Sequence, residues 1–203
     1  MSALTRRVAL LALLAAACLV TPPGAQAAGQ RHHDNVATAV VEQDGGRAFD
    51  LAFAVVTQKA GVVDQFNAAN AGARCTDCRA TAIAFQVVLV SGVPDAVTPH
   101  NRAVAVNDAC TRCVVAAEAR QFVRVVDQPV KFTDAGRETL ADVRRHLRAL
   151  EGQDLTLAAL HEAVEQQEAR VRAVLTEQVV PKAGDEHDAD VLAARLLQDT
   201  DAG

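Results

Sequence analysis

The sequence predicts an α+β fold: an antiparallel β-hairpin meander containing two tandem Cys-x-x-Cys hairpin repeats, followed by a C-terminal helical hairpin. Three observations carry this. Cys75-Thr76-Asp77-Cys78 is followed after seven residues by Gln86 and Val87-Val88-Leu89-Val90, and Cys110-Thr111-Arg112-Cys113 is followed in the same way by Gln121 and Phe122-Val123-Arg124-Val125, an offset of 35 residues. Around these motifs apolar and polar residues alternate with a period of two. After Phe132 the period changes to three and four.

The 203-residue chain opens with Arg6 and Arg7, an apolar run from Val8 to Val20, and Ala25-Gln26-Ala27. Those are the three parts of a secretory signal, so residues 1–27 are expected to be a signal peptide and the product to be secreted or held in the extracytoplasmic cell envelope. The run is too short to span a bilayer, so no membrane span is expected after signal removal. Thr5-Arg6-Arg7 also loosely matches a twin-arginine signal, and Cys18 behind Ala15-Ala16-Ala17 is a candidate lipidation site. Losing Arg6 and Arg7 changes 20 basic against 25 acidic residues to 18 against 25, a net charge of −7 with His neutral. That balance, with no Trp, no Tyr and six Phe, argues against a nucleic-acid partner. The core must be filled by Val, Leu and Ala, and Ala buries little apolar area for each residue ordered, which makes covalent stapling more useful.

A β-rich domain is expected over 28–131. Val36 to Val41 and Phe49 to Val56 are β-prone runs around Asp44-Gly45-Gly46, which reads as a hairpin turn. Phe49, Leu51, Phe53 and Val55 then share one face. Each repeat reads as strand, C-T-x-C turn, strand, with Ala82, Ala84, Gln86, Val88 and Val90 on one face of the first and Ala117, Ala119, Gln121, Val123 and Val125 on the matching face of the second. An Asn precedes each motif, Asn67 and Asn101, and an Asn to Gln contact inside each repeat would satisfy both as structural polar groups. A helical hairpin is expected over 132–180: Thr133 or Asp134 caps a helix carrying Leu140, Val143, Leu147 and Leu150, and Gly152 stops it. Thr156 caps a second helix with Leu157, Leu160, Val164, Val171 and Leu175 on one face, ended by Pro181. Residues 181–203 read as an acidic tail with a short helix near Val191 to Leu197.

Four cysteines in an exported chain allow three chemistries. Structural disulfides suit an oxidising compartment, and residues i and i+3 of a turn approach closely enough to bridge locally, Cys75 with Cys78 and Cys110 with Cys113. A bridge between Cys75 and Cys110 would close a longer loop and gain more chain entropy. Alternatively, two C-x-x-C turns could close a four-thiolate zinc site, or exchange disulfides as a redox pair. Strands after the cysteines remove the helix N-terminus that normally activates such a thiolate. Beyond zinc at these cysteines, no cofactor is implied. His32-His33 is a weak metal-ligand candidate, and a nucleophile, base and orienter set is not apparent, so no catalytic residues are assigned.

The string Phe49-x-Leu51-Ala52-Phe53, Asn67, C-T-x-C, Gln86-Val87-Val88-Leu89-Val90, Asn101, C-T-x-C, Gln121-Phe122-Val123 and Phe132-Thr133-x-x-Gly136 resembles a segment of actinobacterial proteins labelled peptide zinc metalloproteases. The likeness spans about Val36 to Val180. It implies an envelope setting beside a peptide-processing system, but the protease motif is missing. H-E-x-x-H is replaced by His161-Glu162-Ala163-Val164-Glu165, whose second ligand position is Glu. The expected function is therefore that of an exported, non-catalytic structural or binding protein of the cell envelope, with an unknown protein partner. The alternative is a thiol-disulfide redox protein, or a zinc-binding protein that uses all four cysteines.

Overall fold

The structure, a computed structural model, describes residues 34–182. The expected signal sequence, Cys18, His32, His33 and the expected tail helix lie outside the described residues. Strands β1 (Asn35–Val41), β2 (Arg47–Lys59), β3 (Val62–Ala73), β4 (Arg79–Ser91), β5 (Ala96–Asn107) and β6 (Val114–Val126) alternate between two facing sheets. One has the order β1-β3-β5 and the other β2-β4-β6. Every pairing within them is parallel. Each strand pair is thus one rung, and the chain climbs through three rungs of a two-sided β-solenoid.

This corrects the antiparallel hairpin meander. Asp44-Gly45-Gly46 and the C-T-x-C motifs do reverse the chain between strands, but they are arches that carry it to the opposite sheet. β1 pairs with β3 and β2 with β4, so sequence neighbours face each other through side chains instead of sharing a ladder. An alternating strand, a tight reversal and another alternating strand look the same in either arrangement. What differs is the partner, and a parallel ladder brings together residues one repeat apart.

In-register stacking explains the spacing. The inward residues of β4 sit on those of β6 as Ala82 on Ala117, Ala84 on Ala119, Gln86 on Gln121, Val88 on Val123 and Val90 on Val125. Opposite them, Ala37, Ala39, Ala69, Ala71 and Ala73 are buried against Ala80, Ala82 and Ala84. Small side chains on both inner faces let the sheets close on each other in this half of the rungs, while Val56, Val63, Val88 and Val90 fill the other half.

Polar ladders fix the register along this interior. Asn35 Nδ2 donates to Asn67 Oδ1 at 2.7 Å, and Asn67 Nδ2 donates to Asn101 Oδ1 at 2.7 Å. Each of the three also donates across to a facing carbonyl, that of Ala52 (3.4 Å), Ala84 (3.2 Å) and Ala119 (3.1 Å). A second ladder runs from Gln121 Nε2 to Gln86 Oε1 (2.7 Å), from Gln86 to Gln65 (3.3 Å) and from Gln65 to Gln58 (2.9 Å). Asn67 therefore bonds along its ladder to Asn35 and Asn101, in place of the Asn to Gln contact expected inside a repeat. A one-residue slip would break both ladders and turn every inward alanine outward.

Outside the even-numbered sheet, Ile83, Phe85, Val87 and Leu89 are covered by two helices, which buries β4 on both faces. Helix α1 (Asp134–Arg148) starts at Thr133, whose hydroxyl accepts the Gly136 N–H, and packs Leu140, Val143 and Leu147 inward. Helix α2 (Leu157–Glu177) is capped by Thr156 and buries Leu160, Val164, Gln167, Val171, Val174 and Leu175. Leu157, expected on that face, is exposed. The helix ends at Glu177, before Pro181, because the chain turns into β8 (Val179–Pro181), which pairs antiparallel with β7 (Val130–Phe132). Gly136 allows that clip to close: a Cβ there would lie 2.8 Å from the Gln178 Cβ.

Asn67→Ala removes the donor to the Ala84 and Arg120 carbonyls and to Asn101, and takes one acceptor from the Asn35 amide, which keeps the Phe85 carbonyl at 2.9 Å; Asn67 itself is fully buried. The expected cost is about 2–3 kcal/mol of unfolding free energy, read by urea denaturation. Asn70→Ala, on the outer face of the same strand, should change stability by less than about 0.5 kcal/mol.

Candidate functional site

The C-T-x-C motifs form two stacked arches at one edge of the solenoid. Thr76 and Thr111 form a parallel bridge. The Asp77 N–H donates to the Thr111 carbonyl at 2.8 Å and the Val114 N–H to the Cys78 carbonyl at 2.8 Å. The third residue of each arch takes a left-handed conformation, φ 58° at Asp77 and φ 57° at Arg112. Gly45 does the same in the first rung at φ 68°, and its N–H donates to the Thr76 carbonyl. Asp44-Gly45-Gly46 is thus the cysteine-free version of the same arch, a third copy hidden by different residues.

Cys75 and Cys78 lie at disulfide distance, as do Cys110 and Cys113. Each pair closes its own arch, with Cα atoms 6.0 and 5.9 Å apart. Between rungs the arches are joined by charge as well. Arg74 Nε donates to Asp108 at 2.9 Å, and Arg112 Nε donates to Asp77 at 2.6 Å, so the sign of the charge reverses from one rung to the next. The Arg112 guanidinium lowers the Asp77 carboxyl below its usual range. The Sγ atoms of Cys75, Cys110 and Cys113 lie within 4.8 Å of one another, so reduced thiolates from both arches could converge on one metal ion.

The ends of the solenoid differ. At the first rung the Thr38 N–H, on the edge of β1, is occupied by Asp50 Oδ2 at 2.7 Å. At the third rung all twelve residues of β5 are exposed, including the inward-side Asn101, Ala103 and Ala105. Because the Asp108 N–H bonds Ala73, the odd-numbered amides of β5 point away from β3, to the open side. Pro99, which has no N–H to offer, occupies one of those positions. On the neighbouring edge strand β6, Arg124 Nη1 is buried with no hydrogen-bond partner among the described residues.

A third feature was not legible in the sequence. A groove of about 970 Å³ runs between β2 and α1, lined by Phe53, Val55, Phe132 and Leu140 and rimmed by Arg137, Arg144, Arg145 and Arg148. On the far side of the helical layer, His161 sits between Glu118 (3.0 Å) and Glu165 (3.1 Å). The Glu118 hydrogen bond raises the imidazole above its ordinary pKa. Arg120 joins Glu118 (2.9 Å) to Glu168 (2.6 Å), so His161 and Glu168 both fasten α2 to β6. Among the described residues, no helix is long and apolar enough to cross a membrane. Comparison with protein families, curated proteins and solved structures finds no match.

Intact mass of the unreduced chain should rise by about four hydrogens on reduction, with no alkylatable thiol among the four cysteines beforehand. Four thiols that react only after a chelator is added would contradict this pairing.

Proposed function

We propose that the protein is an exported, non-catalytic structural or binding protein of the cell envelope, whose working surface is the open third rung. The observation that carries this reading is the asymmetry of the ends: Asp50 takes the Thr38 amide at the first rung, whereas the outward amides of β5 have no partner among the described residues. Natural sheets blunt such edges unless another chain uses them. The partner that fits is a second copy, with its β5 antiparallel to the first. A register centred on Val104 pairs Asn101 with Asn107 and Ala103 with Ala105, uses the outward amides, and leaves Pro99 beyond the ladder. Val104 and Val106, both exposed in the single chain, are covered in that arrangement. The disulfides keep the arches closed in an oxidising compartment, and the signal sequence supplies the address.

Light scattering coupled to size exclusion, on the oxidised exported chain, should show a dimer whose N-terminus begins at Ala28. Ala103→Pro, which deletes one outward amide without touching the β3 ladder, should shift it to monomer while the circular dichroism spectrum is kept. A monomer at every concentration, or a dimer indifferent to Ala103→Pro, overturns the reading.

The alternative is a zinc or redox protein using the same thiols; the approach of the Cys75, Cys110 and Cys113 sulfurs supplies three ligands for its zinc form, and Cys78 would have to move to be the fourth. It requires the thiols reduced, and its zinc form predicts one ion retained per chain through dialysis.

A further inference from the structure

We infer that the groove between β2 and α1 is a binding site for a single-chain amphipathic anion, an acyl chain ending in a carboxylate. The floor is apolar and contributed by three elements: Phe53 and Val55 from β2, Phe132 from β7 and Leu140 from α1. Phe132 and Leu140 belong to the apolar layer that buries Phe85 and Leu147, and Phe53 packs on it, so the groove floor is continuous with that layer. Its volume of about 970 Å³ is ample for one long chain.

The rim supplies the charge preference. Arg137 and Arg145 are each paired within α1, to Asp134 and Asp142. Arg148 reaches only the Leu51 carbonyl, at 3.5 Å, and Arg144 has no partner among the described residues. Among the described residues, no carboxylate lines the groove. In a chain whose acidic residues outnumber its basic ones, four arginines along one helical edge over an apolar floor form a local exception. A guanidinium with spare N–H donors binds a carboxylate as a fork, and the chain behind that head group has apolar surface to cover. A polyanion such as nucleic acid would leave the apolar floor unused, and a neutral chain would leave Arg144 and Arg148 without a counter-charge.

The test is titration of the full-length oxidised protein with a fluorescent sixteen-carbon carboxylate, and separately with the alcohol of the same chain. The carboxylate should bind at least about tenfold more tightly. Arg144→Ala with Arg148→Ala should remove that preference, and the lysine pair should restore part of it. Val55→Asp should abolish binding of both probes, with each variant's melting temperature confirming that it folds. Equal affinity for acid and alcohol, or a preference that survives loss of both arginines, overturns the assignment. So does binding that appears only when Asp185, Glu186, Asp188 and Asp190 are neutralised to amides, because the acidic C-terminal segment would then be the natural occupant.

Discussion

The structure depends on one constraint, that each rung must lie in register on the one before it. The Asn35–Asn67–Asn101 ladder imposes this because the Asn35 and Asn67 amides each donate both to the next rung and to a facing carbonyl, at buried positions where a lost bond is costly. Once the asparagines are aligned, Gln86 must meet Gln121, alanine must sit on alanine, and the arches must stack. An interior lined by alanine contributes little apolar area per residue. It does allow the two sheets to approach closely, so a rung is held by ladder hydrogen bonds and contact density more than by bulky side chains. The heavier apolar residues are used on the other side of β4, where Phe85 lies near Phe53 and Phe122 and the helices complete the layer.

The arches show how the covalent and electrostatic parts serve the same register. A disulfide between i and i+3 closes one arch and leaves the next one free, so the cysteines do not tie rungs together. That linkage falls to the hydrogen bonds around Thr76 and Thr111 and to the pairs Arg74 with Asp108 and Asp77 with Arg112. These ion pairs are exposed and contribute modestly to stability, but their reversed signs disfavour any other stacking. The first rung manages without cysteines because Gly45 reaches the same left-handed turn at no steric cost.

Strand positions, both helix starts and the local cysteine pairs could be read from the residues, since alternation, Thr133, Thr156 and the C-T-x-C spacing are local signals. The sheet pairing could not be read in the same way, because a period of two says which residues share a face and nothing about which strand lies alongside. Two signals did point to stacking. A repeat of 35 residues lies in the range of solenoids, and charges reverse sign at offsets of 35 (Asp77 and Arg112) and 34 (Arg74 and Asp108). The third copy was concealed by its composition, Gln43-Asp44-Gly45-Gly46 in place of C-T-x-C, and by a shorter step. Asn35 to Asn67 is 32 residues, whereas Asn67 to Asn101 is 34. Ala109, at φ 50°, is the extra residue that makes the step between cysteines 35. The groove was out of reach for a different reason: its floor comes from β2 and β7 and its rim from α1, and no local pattern joins them.

The most direct measurement of the stacking is nuclear Overhauser contact between side-chain amides in the oxidised protein. The account predicts cross-peaks linking Asn35 with Asn67 and Asn67 with Asn101, together with parallel-ladder contacts between the strand holding Ala82 and Ala84 and the strand holding Ala117 and Ala119. Antiparallel contacts between the strands on either side of Cys75 and Cys78, with no Asn67 to Asn101 cross-peak, would contradict it.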